Sequence, residues 1–450
     1  MGRKIWFAMM VMVGVLPFAS VAFAEDVAED VAGDAVPPEL RQYIDQADDS
    51  YHWEIADSRT NPQSQSWLIE LTSQTWHGIP WKHYMIIVAP KTLKYPDASI
   101  LFITGGRIGR TPGDQDWVLA ELLASQSGSH VSLLFQVPNQ PLFDNLVEDA
   151  LIAETLIRAI AEHDATWPAL FPMAKSAIRA MDATQEVLKQ ESNGEVKRFM
   201  VTGASKRGWT TWLTAASGDE RVVAIAPIVI DTLNIQKQMQ YQVETWGTWS
   251  LSIHDYTDRD LLDIDLANMD DFLKRLWKMV DPYFYRSKMT LPKLLVHGTN
   301  DPYWTVDATQ NYWDGLIGPK YIVTLSNVGH NLGNKQLDAY ATIIAFAKNA
   351  FQKGSWPEFR WELSEDDEAY LIDMNCELPI DAVRIWSAIS ETKDFRQVEW
   401  SSVEGTTLTD KSQIRETIKK PQSGHIAFYV EIITKSDGMK FSVTTQVWRK

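Results

Sequence analysis

Phe199–Trp209, which reads FMVTGASKRGW, carries the strongest local signal for the fold. An apolar run stops at Gly203, Ser205 lies in the following turn, and a helical pattern begins directly after it. This strand–turn–helix setting is typical of a nucleophile elbow, in which small neighbours let the serine adopt a strained backbone conformation. Gly203 precedes the serine by two residues, as the pattern requires, but Arg207 occupies the usual second glycine position and Gly208 follows one step later. The motif alone therefore predicts a nucleophile only weakly.

Two downstream residues complete the pattern in the right order. Asp301 follows the short apolar run Leu294–Gly298, and His330 follows Tyr321–Ser326. Catalytic groups cluster at the carboxyl ends of parallel strands, and serine, acid, histidine is the chain order of α/β-hydrolases. We therefore predict Ser205 as the nucleophile, His330 as its base and Asp301 as the acid that orients the imidazole.

The alternatives for these positions are ordinary structural roles. Asp301 could cap the turn before Pro302, and Asp307 is a second acid in the same region that could instead cap the following helix. His297 falls within a predicted strand and is interpreted as structural. His330 is preferred because it follows the last predicted strand of the sheet.

Backbone donors for an oxyanion are expected at two places. One is the N–H of Lys206 at the start of the helix after the serine; the other is the loop containing Gly105 and Gly106, which follows an earlier strand. The candidate substrate-binding residues are Arg107, Arg207, Trp209 and Trp246. For Lys206, Arg207 and Arg107 two interpretations stay open: ordinary polar positions, or side chains that hold an anionic group of the substrate.

The pattern around the elbow predicts an α/β fold. Short apolar strands alternate with helical stretches, among them Ala308–Leu316, which indicates a mainly parallel sheet with helices on both faces. An aromatic and acidic stretch at about 231–290 interrupts this rhythm and is predicted to be a helical cap insertion. Residues 355–450 alternate apolar and polar positions between turns, which predicts an antiparallel β-sandwich of the size of immunoglobulin or fibronectin modules. The α/β-hydrolase domain would then cover residues 39–353.

The N-terminus predicts export. Residues 1–24 combine two basic residues, an apolar run and an A-x-A pattern ending at Ala24, which is typical of a cleaved secretory signal peptide rather than a membrane anchor. Residues 25–38 form an acidic leader. The mature protein is therefore expected in the periplasm or outside the cell, without stable membrane insertion.

Composition excludes several classes of protein. A net charge of −17 over 450 residues argues against nucleic acid binding, which needs a basic surface. Cys376 is the only cysteine, so an internal disulfide and cysteine-based metal sites are excluded. The acidic run 254–271 lacks calcium-loop spacing, and no phosphate loop or dinucleotide fingerprint is found, so we expect no metal and no cofactor.

Five segments together resemble one family, that of PhoPQ-activated pathogenicity-related proteins, which includes the autocrine proliferation repressor of social amoebae. The segments are Leu71–Trp76, Thr202–Trp209, Trp246–Ser250, Asp281–Tyr283 and His297–Asp301. The resemblance runs from about Leu40 to the C-terminus and implies an exported protein of α/β-hydrolase type, linked to bacterial virulence or stress responses. The basic residue after the serine also resembles the elbow of glucuronoyl esterases.

Two functions follow from these patterns. The first is a serine hydrolase that cleaves an ester or amide bond of a small molecule or peptide. The second is a non-catalytic binding or signalling protein on the same scaffold, since fold does not determine function. In either case the C-terminal module could bind a protein partner.

Overall fold

The computed structural model describes residues 35–262, 271–352, 354–405, 413–436 and 438–450. The predicted signal peptide and most of the acidic leader lie outside these residues. Within them, no helix combines the length and the apolarity needed to cross a bilayer. Residues Val36–Lys450 form one compact unit.

A mainly parallel sheet forms the centre of the protein. Its strands are β1 (His52–Thr60), β2 (Ser64–Trp76), β3 (Ile79–Pro90), β4 (Tyr95–Ile103), β5 (Ser129–Leu134), β6 (Arg198–Ala204), β7 (Val222–Ile228), β8 (Lys293–Gly298) and β9 (Lys320–Leu325). They lie in the order β1-β2-β3-β5-β4-β6-β7-β8-β9. Strands β5 to β9 in this order pair parallel, whereas β1, β2 and β3 pair antiparallel at one edge. The α/β-hydrolase fold predicted from the sequence is confirmed.

Helices cover both faces of this sheet. The helices of the described residues are α1 (Glu39–Asp45), α2 (Asp114–Ser127), α3 (Glu148–Glu162), α4 (Leu170–Ser192), α5 (Lys206–Ala216), α6 (Ile235–Trp246), α7 (His254–Thr257), α8 (Asp271–Val280) and α9 (Gln336–Gln352), of which α6, α7 and α8 belong to the insertion between β7 and β8. Buried residues of α4 and α5 pack in one apolar core, and those of α2 and α9 pack in a second core on the opposite face. Because both faces are covered, the parallel strands are almost continuously apolar.

The insertion between β7 and β8 is helical where the structure describes it. It contains α6, α7, α8 and the 3₁₀ turns Leu251–Ile253 and Pro282–Lys288; residues 263–270 lie outside the described part. The predicted helix Ala308–Leu316 is wrong beyond its first turn. Only Ala308–Asn311 is helical, because Tyr312 adopts an extended φ of −145° and its hydroxyl donates a hydrogen bond to buried Asp231.

The C-terminal strands form two antiparallel layers. Strands β10 (Phe359–Glu365), β11 (Ala369–Cys376) and β14 (Gln413–Lys419) make one sheet. Strands β12 (Ala382–Ser390), β13 (Ser401–Glu404), β15 (His425–Ser436), β16 (Met439–Thr444) and β17 (Trp448–Arg449) make the other. The second layer continues the central sheet, because Thr444 of β16 pairs with Ile322 of β9. Tyr370 stacks on Phe428 between the layers, with ring centroids 5.1 Å apart.

Candidate active site

Ser205 occupies a strained turn between β6 and α5. Its φ of +60° and ψ of −124° lie outside the ordinary regions for a residue with a side chain. A Cβ on Gly203 would come within 2.8 Å of the Arg207 Cβ, and one on Gly208 within 2.6 Å of the Ile230 Cγ2. The delayed glycine of the motif therefore fulfils the steric demand of the elbow.

A hydrogen-bonded relay joins the three predicted triad residues. The Ser205 Oγ lies 2.8 Å from the His330 Nε2, and the His330 Nδ1 lies 2.8 Å from the Asp301 Oδ2. A carboxylate only accepts hydrogen bonds, so Nδ1 carries the proton and Nε2 accepts from the serine hydroxyl. Asp301 is buried, whereas the His330 side chain is 22% exposed. The base thus faces the solvent side, from which a substrate would approach.

Tyr303 contacts both Asp301 and His330. Its backbone N–H donates to the Asp301 Oδ1 at 2.9 Å, and its ring lies 4.2 Å from the imidazole of His330, measured between centroids. One residue thus holds the acid through the backbone and restricts rotation of the base through its ring.

The predicted oxyanion loop is held rigidly beside the elbow. The Gly105 carbonyl accepts from the Gln136 backbone N–H at 2.9 Å, and the Gly106 carbonyl accepts from the Gln140 Nε2 at 3.0 Å. Gly106 has a φ of +126°, which a side chain would strain. In the described part of the chain, the backbone N–H groups of Gly105 and Gly106 donate to no acceptor. Lys206 is the first residue of α5, so its N–H has no intrahelical partner either.

The Arg207 side chain packs against this loop and forms hydrogen bonds beside it. Its guanidinium makes two 2.6 Å hydrogen bonds to the Glu148 carboxylate and donates through Nε to the Val137 carbonyl at 2.5 Å. A Cβ on Gly105 would overlap the same guanidinium. Burial alone would raise the pKa of Glu148, but the hydrogen bonds and charge of Arg207 hold it below its usual range. The Arg207 guanidinium therefore has partners within the protein, in line with the structural interpretation of this residue, and its contact with a substrate stays a prediction.

Lys206 forms a second ion pair directly beside the first, and this one is more deeply buried. Its Nζ lies 2.5 Å from the Asp149 Oδ2, and the hydroxyl of Tyr256 in α7 donates to the Asp149 Oδ1 at 2.9 Å. Burial would lower the pKa of Lys206, but the charge of Asp149 outweighs it and raises the pKa. The Lys206 Nζ also lies 5.3 Å from the centroid of the Tyr303 ring.

The helical insertion is anchored on the loop that carries the acid. The Gln242 Nε2 of α6 donates to the Tyr303 carbonyl at 2.9 Å, and the Ser250 Oγ donates to the Pro302 carbonyl at 2.6 Å. Together with the contact from Tyr256 to Asp149, these bonds connect the insertion to both sides of the elbow. At these points the insertion is therefore hydrogen-bonded to the segments that border the site.

The other predicted substrate ligands are arranged differently. Arg107 lies exposed on the oxyanion loop. Trp209 is buried, and its Nε1 donates to the Val280 carbonyl at 2.7 Å. The guanidinium of Arg396 lies 4.0 Å above the Trp246 ring. Of the four residues, Arg107 is exposed, Trp246 is partly exposed, and Arg207 and Trp209 are buried.

Asp307, the alternative acid, has partners elsewhere. Its Oδ2 accepts from the Tyr241 hydroxyl at 2.5 Å and from the Gln310 Nε2 at 2.7 Å. It also pairs with Arg449 at 3.1 Å. These contacts join the insertion to the C-terminal strand and leave Asp301 as the acid on His330.

A second acid–imidazole pair lies behind Asp301. The His297 Nδ1 is 3.4 Å from the Asp231 Oδ2. Burial raises the pKa of Asp231, against the opposing charge of His297. A cavity of about 20 Å³ borders His297, Asp301, Trp304 and Thr305, which is space for one water molecule.

Sequence reasoning missed Tyr303, Glu148, Asp149 and Tyr256. Acidic residues in the first turn of a helix are usually explained by the helix dipole, so nothing marked Glu148 and Asp149 as partners of the elbow. Tyr303 offered one signal, its position two residues after the predicted acid.

The chain is similar to several known proteins. A relative from Dictyostelium discoideum, autocrine proliferation repressor protein A, is 29% identical over 426 residues, covering 87% of this chain and 85% of its own. Acetyl xylan esterase 1 from Thermoanaerobacterium sp. JW/SL YS485 is 14% identical, with a TM-score of 0.48 over 74% of this chain and 99% of its own. Glucuronoyl esterase from Solibacter usitatus is 13% identical, with a TM-score of 0.42 over 73% of this chain and 94% of its own. Residues 40–396 match the family described as PhoPQ-activated pathogenicity-related protein, and the chain belongs to that family.

Proposed function

We propose that the protein is a serine hydrolase that cleaves an ester or amide bond through Ser205, His330 and Asp301. The observation that carries the proposal is the continuous relay from the Ser205 Oγ through both nitrogens of His330 to the Asp301 Oδ2, with 2.8 Å at each step. The strained backbone of Ser205 supports it, because such strain persists where surrounding structure maintains it and is common at reactive residues.

The reaction would proceed in two halves. The Ser205 Oγ attacks the substrate carbonyl carbon while its proton moves to the His330 Nε2. The negative charge on the carbonyl oxygen is stabilised by the N–H of Lys206 and those of the Gly105–Gly106 loop. The bond to the leaving group then breaks, and the leaving group takes the proton from Nε2. Water repeats the sequence on the acyl-serine, releases the acid and restores the serine hydroxyl.

Asp301 and Tyr303 would prepare His330 for this proton transfer. Asp301 fixes the tautomer with the proton on Nδ1 and stabilises the imidazolium that forms. The Tyr303 ring keeps the imidazole plane in place while its charge changes.

Turnover tests the proposal. Hydrolysis of p-nitrophenyl acetate and of aminoacyl p-nitroanilides is measured for the purified protein, for Ser205→Ala and for the control Ser217→Ala, whose serine lies at the end of α5. We expect hydrolysis by the parent and the control and none by Ser205→Ala. Equal rates for all three proteins would refute the proposal.

Export and regulation belong to the same proposal. Residues 1–24 support secretion to the periplasm or the medium, and the family description supports expression under a PhoPQ-type sensor. The N-terminus of the protein recovered from a cell envelope fraction tests export. A chain beginning at Glu25 is expected, and an intact Met1 in the cytosolic fraction would contradict it.

The binding function remains the second candidate because of one relative, whose name describes a repressor of proliferation. If this chain is a binding protein, Ser205→Ala retains the full biological effect of the parent while losing hydrolysis. Loss of both together favours the hydrolase.

A further inference from the structure

Asp301 can accept more hydrogen bonds than the protein gives it. In the described part of the chain, its Oδ1 accepts from the Tyr303 backbone N–H and its Oδ2 accepts from the His330 Nδ1. Each oxygen of a carboxylate has two lone pairs, so each can accept from a further donor. The cavity of about 20 Å³ described above borders Asp301. A third donor for this acid would therefore have to lie in that cavity.

The imidazole of His297 borders the same cavity. Its Nδ1 lies 3.4 Å from the Asp231 Oδ2, and the Asp231 Oδ1 accepts from the Tyr312 hydroxyl. Because a carboxylate only accepts, it favours the tautomer with the proton on Nδ1. The Nε2 of His297 is then a hydrogen-bond acceptor. This atom is buried and has no partner among the residues that the structure describes.

Two further residues that border the cavity carry buried polar atoms. The Thr305 Oγ1 and the Trp304 Nε1 have no hydrogen-bond partner within the described ranges. Buried polar groups are normally satisfied by protein or by ordered water, and a space of about 10–15 Å³ holds one water molecule. The cavity therefore has the size and the polar lining of a site for a single water molecule.

The second acid–imidazole pair also interacts electrostatically with the acid of the triad. Burial raises the pKa of Asp231, and the negative charge of Asp301 adds to this rise, whereas the charge of His297 opposes it. Asp231 and Asp301 follow the neighbouring strands β7 and β8, and their carboxyl groups border one cavity. A change at the second pair can therefore reach the triad over a short distance.

We propose that one water molecule in this cavity joins the His297 Nε2 to the Asp301 carboxylate, which makes His297 a positioning residue for the triad. The water donates one hydrogen to Nε2 and the other to Asp301, and it accepts from the Trp304 Nε1–H and the Thr305 hydroxyl. A third donor on Asp301 holds the plane of its carboxylate toward the His330 Nδ1. The kinetic role of His297 rests on the proposed hydrolysis, whereas the water site does not.

A crystal structure that shows ordered water tests the site without any turnover. The parent is compared with His297→Phe, which keeps a ring but has no nitrogen to bond the water. We expect a water within hydrogen-bond distance of both the His297 Nε2 and the Asp301 carboxylate in the parent, and loss of this link in the variant. A parent cavity without such a water, or a water that bonds only one of the two groups, would overturn the proposal.

Ester hydrolysis tests the positioning role. His297→Phe should lower kcat about tenfold and leave KM unchanged, because Asp301 is then less well placed to orient His330. The control is His130→Phe, whose buried imidazole lies 3.3 Å from the Ala98 carbonyl at the start of β5; its kcat should match the parent. His297→Gln retains a polar group and should recover part of kcat. Equal kcat for His297→Phe and the control would refute the role.

A smaller change keeps the test decisive if His297→Phe does not fold. Thr305→Val removes one partner of the water at nearly constant size and should lower kcat by a smaller factor. Thr434→Val, which removes a buried and equally unpartnered hydroxyl on β15 away from the cavity, should not. Equal kcat for these two variants would also refute the role. A parent without hydrolysis would refute the proposed function, and the crystal structure would still decide the water site.

Discussion

Three consecutive residues of the elbow serve two different purposes. Ser205 faces the reaction side, where it meets a histidine that remains partly exposed. Lys206 and Arg207 turn their side chains into the protein, where Asp149 and Glu148 neutralise them. The elbow therefore separates the proposed reaction from structural support. On the reactive side, a short hydrogen bond joins the serine to an accessible base; on the supporting side, two ion pairs, one buried and one partly exposed, hold the surrounding loops.

The largest expected effect belongs to the reactive side. Asp301→Asn keeps the size of the acid but no longer fixes the tautomer of His330, so kcat should fall by about 10⁴-fold with little change in thermal stability. The measurement is ester hydrolysis together with the thermal unfolding midpoint. A matched loss of stability would mean that Asp301 belongs to the supporting side.

Substitutions on the supporting side should instead lower the stability of the protein. Arg207→Met leaves the Glu148 carboxylate without its ion-pair partner, although Gln140 still donates to it at 2.7 Å, and we expect the free energy of unfolding to fall by about 2–3 kcal/mol. This is less than the roughly 3–5 kcal/mol of a fully buried pair, because the Glu148 side chain is 37% exposed. Urea unfolding measures it. The double variant Arg207→Met with Glu148→Met should recover part of the loss; a purely additive loss would contradict a direct pairing.

Tyr303 contacts both sides: its ring lies against His330, and its hydroxyl lies near Asp149. Tyr303→Leu removes the ring from the imidazole and should lower kcat about tenfold to a hundredfold, because misplaced catalytic groups react slowly. Tyr303→Phe keeps the ring and loses the hydroxyl's hydrogen bond with Lys206 and its long 3.4 Å contact to Asp149, which both lie away from the imidazole, so it should stay within about threefold of the parent. If the two variants lose activity equally, the hydroxyl is the important group and the stacking argument fails.

The smallest expected effect is the pH dependence of the stability that Glu148 contributes on the supporting side. The pKa of Glu148 is lower in the folded protein than its ordinary value of 4.5, so the carboxylate stabilises the fold above that value and loses this contribution as pH falls through the folded pKa. The stability difference between the parent and Glu148→Gln should therefore be largest near neutral pH and shrink below 4.5. Urea unfolding of both proteins across this range measures it, and a difference that grows on acidification would contradict the pairing with Arg207.

The grouping of Ser205, Asp301 and His330 could be predicted from the sequence, whereas the ion pairs of the supporting side could not. Ser205, Asp301 and His330 each follow a recognisable strand, and the carboxyl ends of parallel strands meet at one edge of a sheet. Arg207 and Glu148 are 59 residues apart in the sequence. Because no local sequence pattern predicts which face of the first turn of α5 is buried, their contact could not be predicted.

The fold likewise has parts that a local sequence pattern predicts and parts that depend on tertiary contacts. The alternation of apolar strands and helices predicts the central sheet, because it reflects burial of each strand on both faces. β16 continues this sheet by pairing with β9, a contact in which Thr324 and Thr444 are 120 positions apart in the sequence, so no local pattern predicts it. Tertiary packing also overrode the helical pattern after Asn311, where Tyr312 turns to reach Asp231.

Labelling with a fluorophosphonate probe tests the central claim most directly, because the probe reacts with a serine that a neighbouring base activates. The adduct is located by peptide mass spectrometry in the parent, Ser205→Ala, His330→Ala and the exposed-histidine control His254→Ala. The account predicts an adduct on Ser205 in the parent and the control and none in the other two variants. A folded parent that stays unlabelled, or label that persists in Ser205→Ala, would contradict it.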